Sequence, residues 1–257
     1  MRRTILTAVL LLVLAGPATA QDATISATLS PSKPKAGATL HVALSGTAPA
    51  LDGALPQSIV LDLQRGFAID TAAVAARCVA PATTTGACPA ASSIGHGAAV
   101  AHASGLLNQD IPATIDLFLA APSQPGDLAG VVLRVTALGA SQTIAARLLA
   151  RSSGPFGYEL RADGFAAALP SFPHVTIGLN SLTLAVGAHR NVTTTVVTRK
   201  RITRGGRRVT VTRKVRRKVR HDLLRNPRTC SGHWTVRATV SAAAGGASDL
   251  AVPCSKG

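Results

Sequence analysis

Short runs with an apolar residue at every second position recur along this chain. Leu40, Val42 and Leu44 do this in Thr39–Ser45, and Ile59, Leu61 and Leu63 in Ser58–Gln64. The same period returns in Ile115, Leu117 and Leu119, in Val131, Leu133 and Val135, and in Val175, Ile177 and Leu179. Near the end Trp234, Val236, Ala238 and Val240 repeat it, with Thr235, Arg237 and Thr239 facing away. A period of two puts alternate side chains on opposite faces of a strand, so each run offers one face to a core. Pro31-Ser32-Lys33-Pro34, Gln124-Pro125-Gly126-Asp127, Ser153-Gly154-Pro155 and Gly245-Gly246 punctuate the runs. Many short strands between Gly/Pro turns, with no long helical period, predict an all-β fold, an antiparallel β-sandwich. Two stretches depart from it. Asp70–Arg77 places a capping Asp before helix formers and predicts one or two helical turns ahead of Cys78, and Cys88–Ser92 predicts another short turn.

The chain opens with Met1-Arg2-Arg3, runs through the apolar stretch Ile5–Ala15 and reaches Ala18-Thr19-Ala20. A positive start, a short apolar run and a small-x-small site describe a secretory signal peptide over residues 1–20, removed after Ala20. The run falls short of the roughly 20 apolar residues of a comfortable membrane span. Arg2-Arg3 also fits a twin-arginine signal, but the apolar stretch so close behind it favours the general secretion route. No Cys follows it to carry a lipid, and no later segment is long and apolar enough for a spanning helix. Residues 21–257 show no linker and no internal repeat, and are expected to form a single β-sandwich domain.

Export bears on the four cysteines, Cys78, Cys88, Cys230 and Cys254. An even number in an oxidising compartment favours disulfides. Of the three possible pairings, sequence proximity favours Cys78–Cys88 with Cys230–Cys254. The rival, a metal site from Cys230, His233 and Cys254, lacks the paired Cys-x-x-Cys spacing of the usual zinc patterns.

The charge is concentrated in one place. Between Arg199 and Arg220 stand Arg199, Lys200, Arg201, Arg204, Arg207, Arg208, Arg213, Lys214, Arg216, Arg217, Lys218 and Arg220, with no Asp or Glu among them. The whole chain has 27 basic and 11 acidic residues. Without these twelve and Arg2 and Arg3, thirteen basic residues face the eleven acidic ones, a nearly neutral body. If Gly205-Gly206 forms a two-residue turn, Ile202 faces Val209, Val196 faces Val215 and Val192 faces Val219 on one side of a ribbon. Thr193/Lys218, Thr195/Arg216 and Thr203/Arg208 then oppose each other on the other side. Gly-Gly supplies the positive φ angles of tight hairpin turns, and Val, Ile and Thr suit strands. The segment is therefore expected to be a long basic β-hairpin, at about residues 192–220, projecting from the sandwich. The twelve cations are its candidate polyanion-binding residues, for wall polymer, an anionic lipid surface or, less favourably, nucleic acid. Single-stranded nucleic-acid platforms use aromatic side chains, and the segment has none. A second reading is a solvated extension whose cations only prevent edge-to-edge aggregation.

Catalytic signals are weak. Ala91-Ser92-Ser93-Ile94-Gly95 resembles a relaxed nucleophile elbow around Ser93, but the elbow needs a strand before the serine and a helix after it. The histidines are scattered singly, so His96, His102 and His233 receive no role. Acidic residues are not paired in sequence, and no Gly-x-Gly-x-x-Gly or phosphate-binding loop is present. No catalytic residue, metal or cofactor is therefore expected. The alternative function is a secreted hydrolase of unrecognised type.

Three groups of residues are familiar in combination: Arg77-Cys78 through Cys88-Pro89-Ala90-Ala91-Ser92-Ser93-Ile94-Gly95; Gly154-Pro155-Phe156-Gly157-Tyr158; and Asn226-Pro227-Arg228-Thr229-Cys230 with Trp234 and Val252-Pro253-Cys254. In that order they resemble a group of secreted, disulfide-containing actinobacterial proteins of unknown function. The resemblance implies an extracellular β-rich module with paired cysteines and carries over no reaction. Arg199–Arg220 looks like an insertion relative to that group.

Overall fold

A computed structural model of the chain describes residues 24–45, 56–105, 108–164, 175–241 and 246–255. The segment read as a signal peptide and Gly245 lie outside them. Fifteen strands dominate: β1 (Thr24–Ser30), β2 (Thr39–Ser45), β3 (Ser58–Gln64), β4 (Ala68–Ile69), β5 (Ser93–Gly105), β6 (Gln109–Ala120), β7 (Asp127–Ala137), β8 (Ala140–Ala150), β9 (Phe156–Asp163), β10 (Val175–Val186), β11 (His189–Arg204), β12 (Arg207–Asp222), β13 (Leu224–Arg225), β14 (His233–Ser241) and β15 (Gly246–Pro253).

The all-β antiparallel expectation holds, and its two packed layers come from one curled sheet. Eleven strands pair in the order β1-β2-β10-β5-β6-β7-β8-β9-β3-β14-β15, and the two edge strands, β1 and β15, return to lie against each other. The sheet is thus nearly closed into a barrel, which shields the edge groups that an open sheet would offer to another chain. The alternation read from sequence decides what points inward. Leu61 and Leu63 of β3, Leu117 and Leu119 of β6, Val131 and Leu133 of β7, and Val236 and Ala238 of β14 are all buried. Trp234, 1 % exposed, sets its ring edge-on to Phe67 at 5.8 Å and donates its indole N–H to the Thr229 carbonyl at 2.9 Å. A large ring with its one polar group satisfied is what a buried Trp requires.

The helical expectations are met as short turns. Thr71–Ala73 is a single 3-10 turn capped by Asp70, whose carboxylate accepts the Ala72 N–H at 2.9 Å. Ala90–Ser92 is another. Among the described residues there is one α-helical turn, α1 (Ala82–Thr85), which lies in the loop closed by the first disulfide and has no period long enough to announce it. Both expected disulfides are present: Cys78–Cys88, with Cα atoms 5.0 Å apart, and Cys230–Cys254, at 6.0 Å. The second joins the segment before β14 to the end of β15. The metal reading of Cys230, His233 and Cys254 is excluded here because both thiols are consumed in the bridge.

Candidate polyanion-binding arm

β11 and β12 form a separate two-stranded ribbon, sixteen residues on each side. The register is the expected one and continues at its base from Val192/Val219 to His189/Asp222. Gly205 and Gly206 turn the chain with φ of 58° and 75°, the double positive φ of the hairpin turn that suits twisted strands. At about 3.3 Å per residue each side extends roughly 53 Å.

The base is locked into the body. The Leu223 N–H donates to the Ala188 carbonyl at 2.8 Å, and the Leu223 carbonyl accepts the Asp70 N–H at 3.0 Å. Leu223 and Leu224, each 4 % exposed, bury their side chains in the core. β13 then pairs with β4. Asp222 is buried beside Gly37, where a β-carbon would collide with its carboxylate, and it accepts from Arg220 Nε at 2.6 Å. His221 Nδ1 lies 2.7 Å from Asp70 Oδ2. Burial acts to raise the Asp70 pKa, but the hydrogen bonds from His221 and the Ala72 N–H outweigh it and leave the carboxyl below its usual range.

Beyond that base the two faces of the ribbon differ. One face carries Arg220 opposite Asn191, Lys218 opposite Thr193, Arg216 opposite Thr195 and Lys214 opposite Val197. It continues with Arg199 opposite Thr212, Arg201 opposite Thr210 and Arg208 opposite Thr203. Seven successive rungs thus hold one cation each, with a short uncharged partner beside it. Same-face rungs recur every two residues, about 6.6 Å. The other face alternates Val192/Val219 and Val196/Val215 with Arg217, Arg213 and Lys200. Arg204 and Arg207 pair at the last rung before the turn. The sequence had disclosed three of the seven charged rungs; three more appear when the register is followed through residues 197–201 and 210–214, where the cations move from one strand to the other, and the seventh, Asn191/Arg220, lies at the base.

Charge is handled differently in the body. Arg134 meets Asp116 at 2.7 Å, Arg147 meets Asp127 at 2.6 Å and Arg237 meets Asp249 at 2.6 Å. Hydrogen bonds from Arg147 hold the Asp127 carboxyl below its usual range, aided by Ser123 and the Gln124 N–H. Among the arm's described Arg and Lys residues, Arg220 alone reaches a carboxylate. Arg199, Lys200, Arg201, Arg208, Arg213, Lys214, Arg216, Arg217 and Lys218 stand exposed without one. At about 6.6 Å in water, two unit charges repel by about 0.6 kcal/mol before screening. A ladder of such neighbours is unfavourable until anions approach it.

The remaining candidates lie elsewhere. Ser93 opens β5 directly after a 3-10 turn, so the strand–serine–helix context of an elbow is absent there. His102 of β5 sits between Asp110, 2.8 Å from Nδ1, and Asn108, 3.0 Å from Nε2. His233 begins β14 on the surface, and His96 faces outward from β5. Inside the barrel an apolar cavity of about 60 Å³ is bounded by Leu40, Leu61, Leu119, Val131 and Leu224, with no charged side chain in its wall. No protein-family model, curated protein or solved structure matches the chain.

Proposed function

We propose that this protein is a noncatalytic secreted or envelope-associated module that docks onto anionic polymer through the arm. The observation that carries this reading is the run of seven consecutive charged rungs, each exposed and, apart from Arg220, without a carboxylate partner. Regular, unneutralised positive charge on a narrow ribbon suits a linear polyanion with closely spaced charges, such as a phosphate-rich wall polymer, because binding releases the counterions condensed on it. Cations on the second face also favour a polymer that wraps the ribbon over a flat bilayer that touches one side. The two disulfides are compatible with an extracellular location.

The test replaces Arg199–Arg220 with a short turn and measures co-sedimentation with wall material, and with anionic and neutral vesicles, at low and physiological salt. The reading expects the parent to sediment with wall material in a salt-sensitive way and the deleted protein to stay in solution while remaining folded. A folded deletion that binds as well as the parent would leave the arm as a solvated extension. Preference for anionic vesicles over wall polymer would redirect the reading to a membrane surface.

A further inference from the structure

We infer a second site on the body, independent of the arm: His41 and His96 form a two-imidazole site for a borderline divalent transition-metal ion, with Cu²⁺ the strongest candidate. β10 runs between β2 and β5, and Ala185 of β10 is the direct partner of His41 on one side and of His96 on the other. Directly opposed residues in a sheet point to the same face, so both imidazoles rise from the outer face with only the Ala185 methyl between them. Their Cα atoms are two strand spacings apart, about 9.6 Å. Two imidazoles reaching inward across that gap meet over Ala185, close enough to share one ion through nitrogen bonds of about 2.0–2.1 Å.

The surroundings leave room for it. His41 and His96 border one outer trough of about 440 Å³, floored by small side chains including Ala43, Ala98 and Ala185, with Ser26 and Thr28 at the rim. Neither imidazole has a hydrogen-bond partner among the described residues, whereas His102 and His221 are each engaged by a carboxylate. The nearest facing charges are Asp116, opposite His96, and Arg134, opposite Asp116. Arg134 donates to Asp116 Oδ2 at 2.7 and 3.2 Å, which anchors that carboxylate in an ion pair while Oδ1 has no hydrogen-bond partner among the described residues. A pair of imidazole nitrogen donors, with the neighbouring carboxylate already held by an arginine, suits copper or zinc and disfavours calcium and magnesium, which take oxygen ligands. Copper stands above zinc in the general affinity order for nitrogen sites. Water would complete the coordination, leaving positions open to exchange.

The test titrates CuCl₂ into the tag-free chain lacking residues 1–20, at neutral pH, and follows calorimetry together with the electron paramagnetic resonance spectrum of the bound ion. One Cu²⁺ per chain with coupling to two imidazole nitrogens is expected. His41→Ala and His96→Ala should each weaken binding by about tenfold or more, at least the loss that follows from disturbing a ligand's supporting shell. Both substitutions lie on an exposed face, and circular dichroism checks that the fold survives. His102→Ala and His221→Ala should leave the affinity unchanged. Binding undiminished in the double variant, a spectrum with a single nitrogen donor, or no stoichiometric binding by the parent would overturn the site.

Discussion

The curled sheet and the arm are both antiparallel β-structure rich in Val and Thr, yet they balance their charges and backbones in opposite ways. In the sheet alternate strand positions bury apolar side chains in two large clusters, and several surface arginines are matched by carboxylates, as in Arg147–Asp127 and Arg237–Asp249. In the arm two strands have only each other. Val197, Val211 and Val219 are 50 %, 42 % and 39 % exposed, and the cations repel along the ribbon. A lone two-stranded ribbon in water is marginally stable at best. The arm therefore owes its position to its base, where Leu223, Leu224 and Asp222 enter the body. The body has its own buried core, whereas the arm is a two-stranded ribbon joined to the body at its base.

The sharpest way to break this contrast is to truncate equivalent apolar residues in both regions. Trp234→Ala removes a ring 1 % exposed and should cost the body about 3–5 kcal/mol in denaturant unfolding. Val196→Ala in the arm, at a rung 37 % exposed, should change global stability by less than about 0.5 kcal/mol. Comparable losses would mean that the arm is part of the cooperative unit. Replacing both members of a disulfide comes next. Loss of Cys230–Cys254, with its sequence separation of 24, should cost about 3.5 kcal/mol, and loss of Cys78–Cys88, with its separation of 10, about 2.8 kcal/mol, on the chain-entropy account. Neither should alter binding by the arm.

What was legible in the sequence follows the same division. Thr39–Ser45 and Ser58–Gln64 emerge with the expected bounds because one face of each is buried, so that a shift by one residue would expose its whole apolar set. The hairpin register was legible for a different reason, since Gly205-Gly206 fixes it whatever the faces carry. β1, β8 and β15 were not read. In β8 Ala stands on both faces and in β15 Ala247 and Ala251 face away from Leu250 and Val252, which weakens the apolar contrast. β1 does alternate, carrying Ile25, Ala27 and Leu29 against Thr and Ser. That the layers belong to one curled sheet was also hidden, because strand order depends on long-range pairings such as β3 with β9 and β14, which no local period records. The same limit hid His41 beside His96: 55 positions separate them in the chain, and β10 alone brings them together.

Smaller effects sharpen the boundary between the two regions. Gly37→Ala forces a methyl into the Asp222 carboxylate and should cost about 1–3 kcal/mol as an overpacked contact, with the loss concentrated at the arm's base. Hydrogen exchange at the Leu223 amide would report it, and protection unchanged there would detach the arm from that anchor. Acidification separates the regions again. Because the folded pKa of Asp127 lies below its unfolded value, its contribution is fully present above the unfolded value, about 3.9, and is lost as pH falls through the folded pKa. Asp127→Asn should therefore lower thermal stability at pH 7, with the gap to the parent closing below about pH 4. Binding of a strong-acid polyanion by the arm should persist over that range for as long as the body stays folded.

The claim that the arm acts as a ladder of independent charges is tested most directly by the salt dependence of binding to inorganic polyphosphate. For a flexible single-stranded polyanion the logarithm of the affinity falls by roughly 0.7 per neutralised phosphate for each tenfold rise in salt. Seven rungs engaged on one face predict a slope of about −5, and engagement of all twelve cations about −8. A slope shallower than about −2 would contradict the ladder, because too few of its cations would then be meeting the polymer.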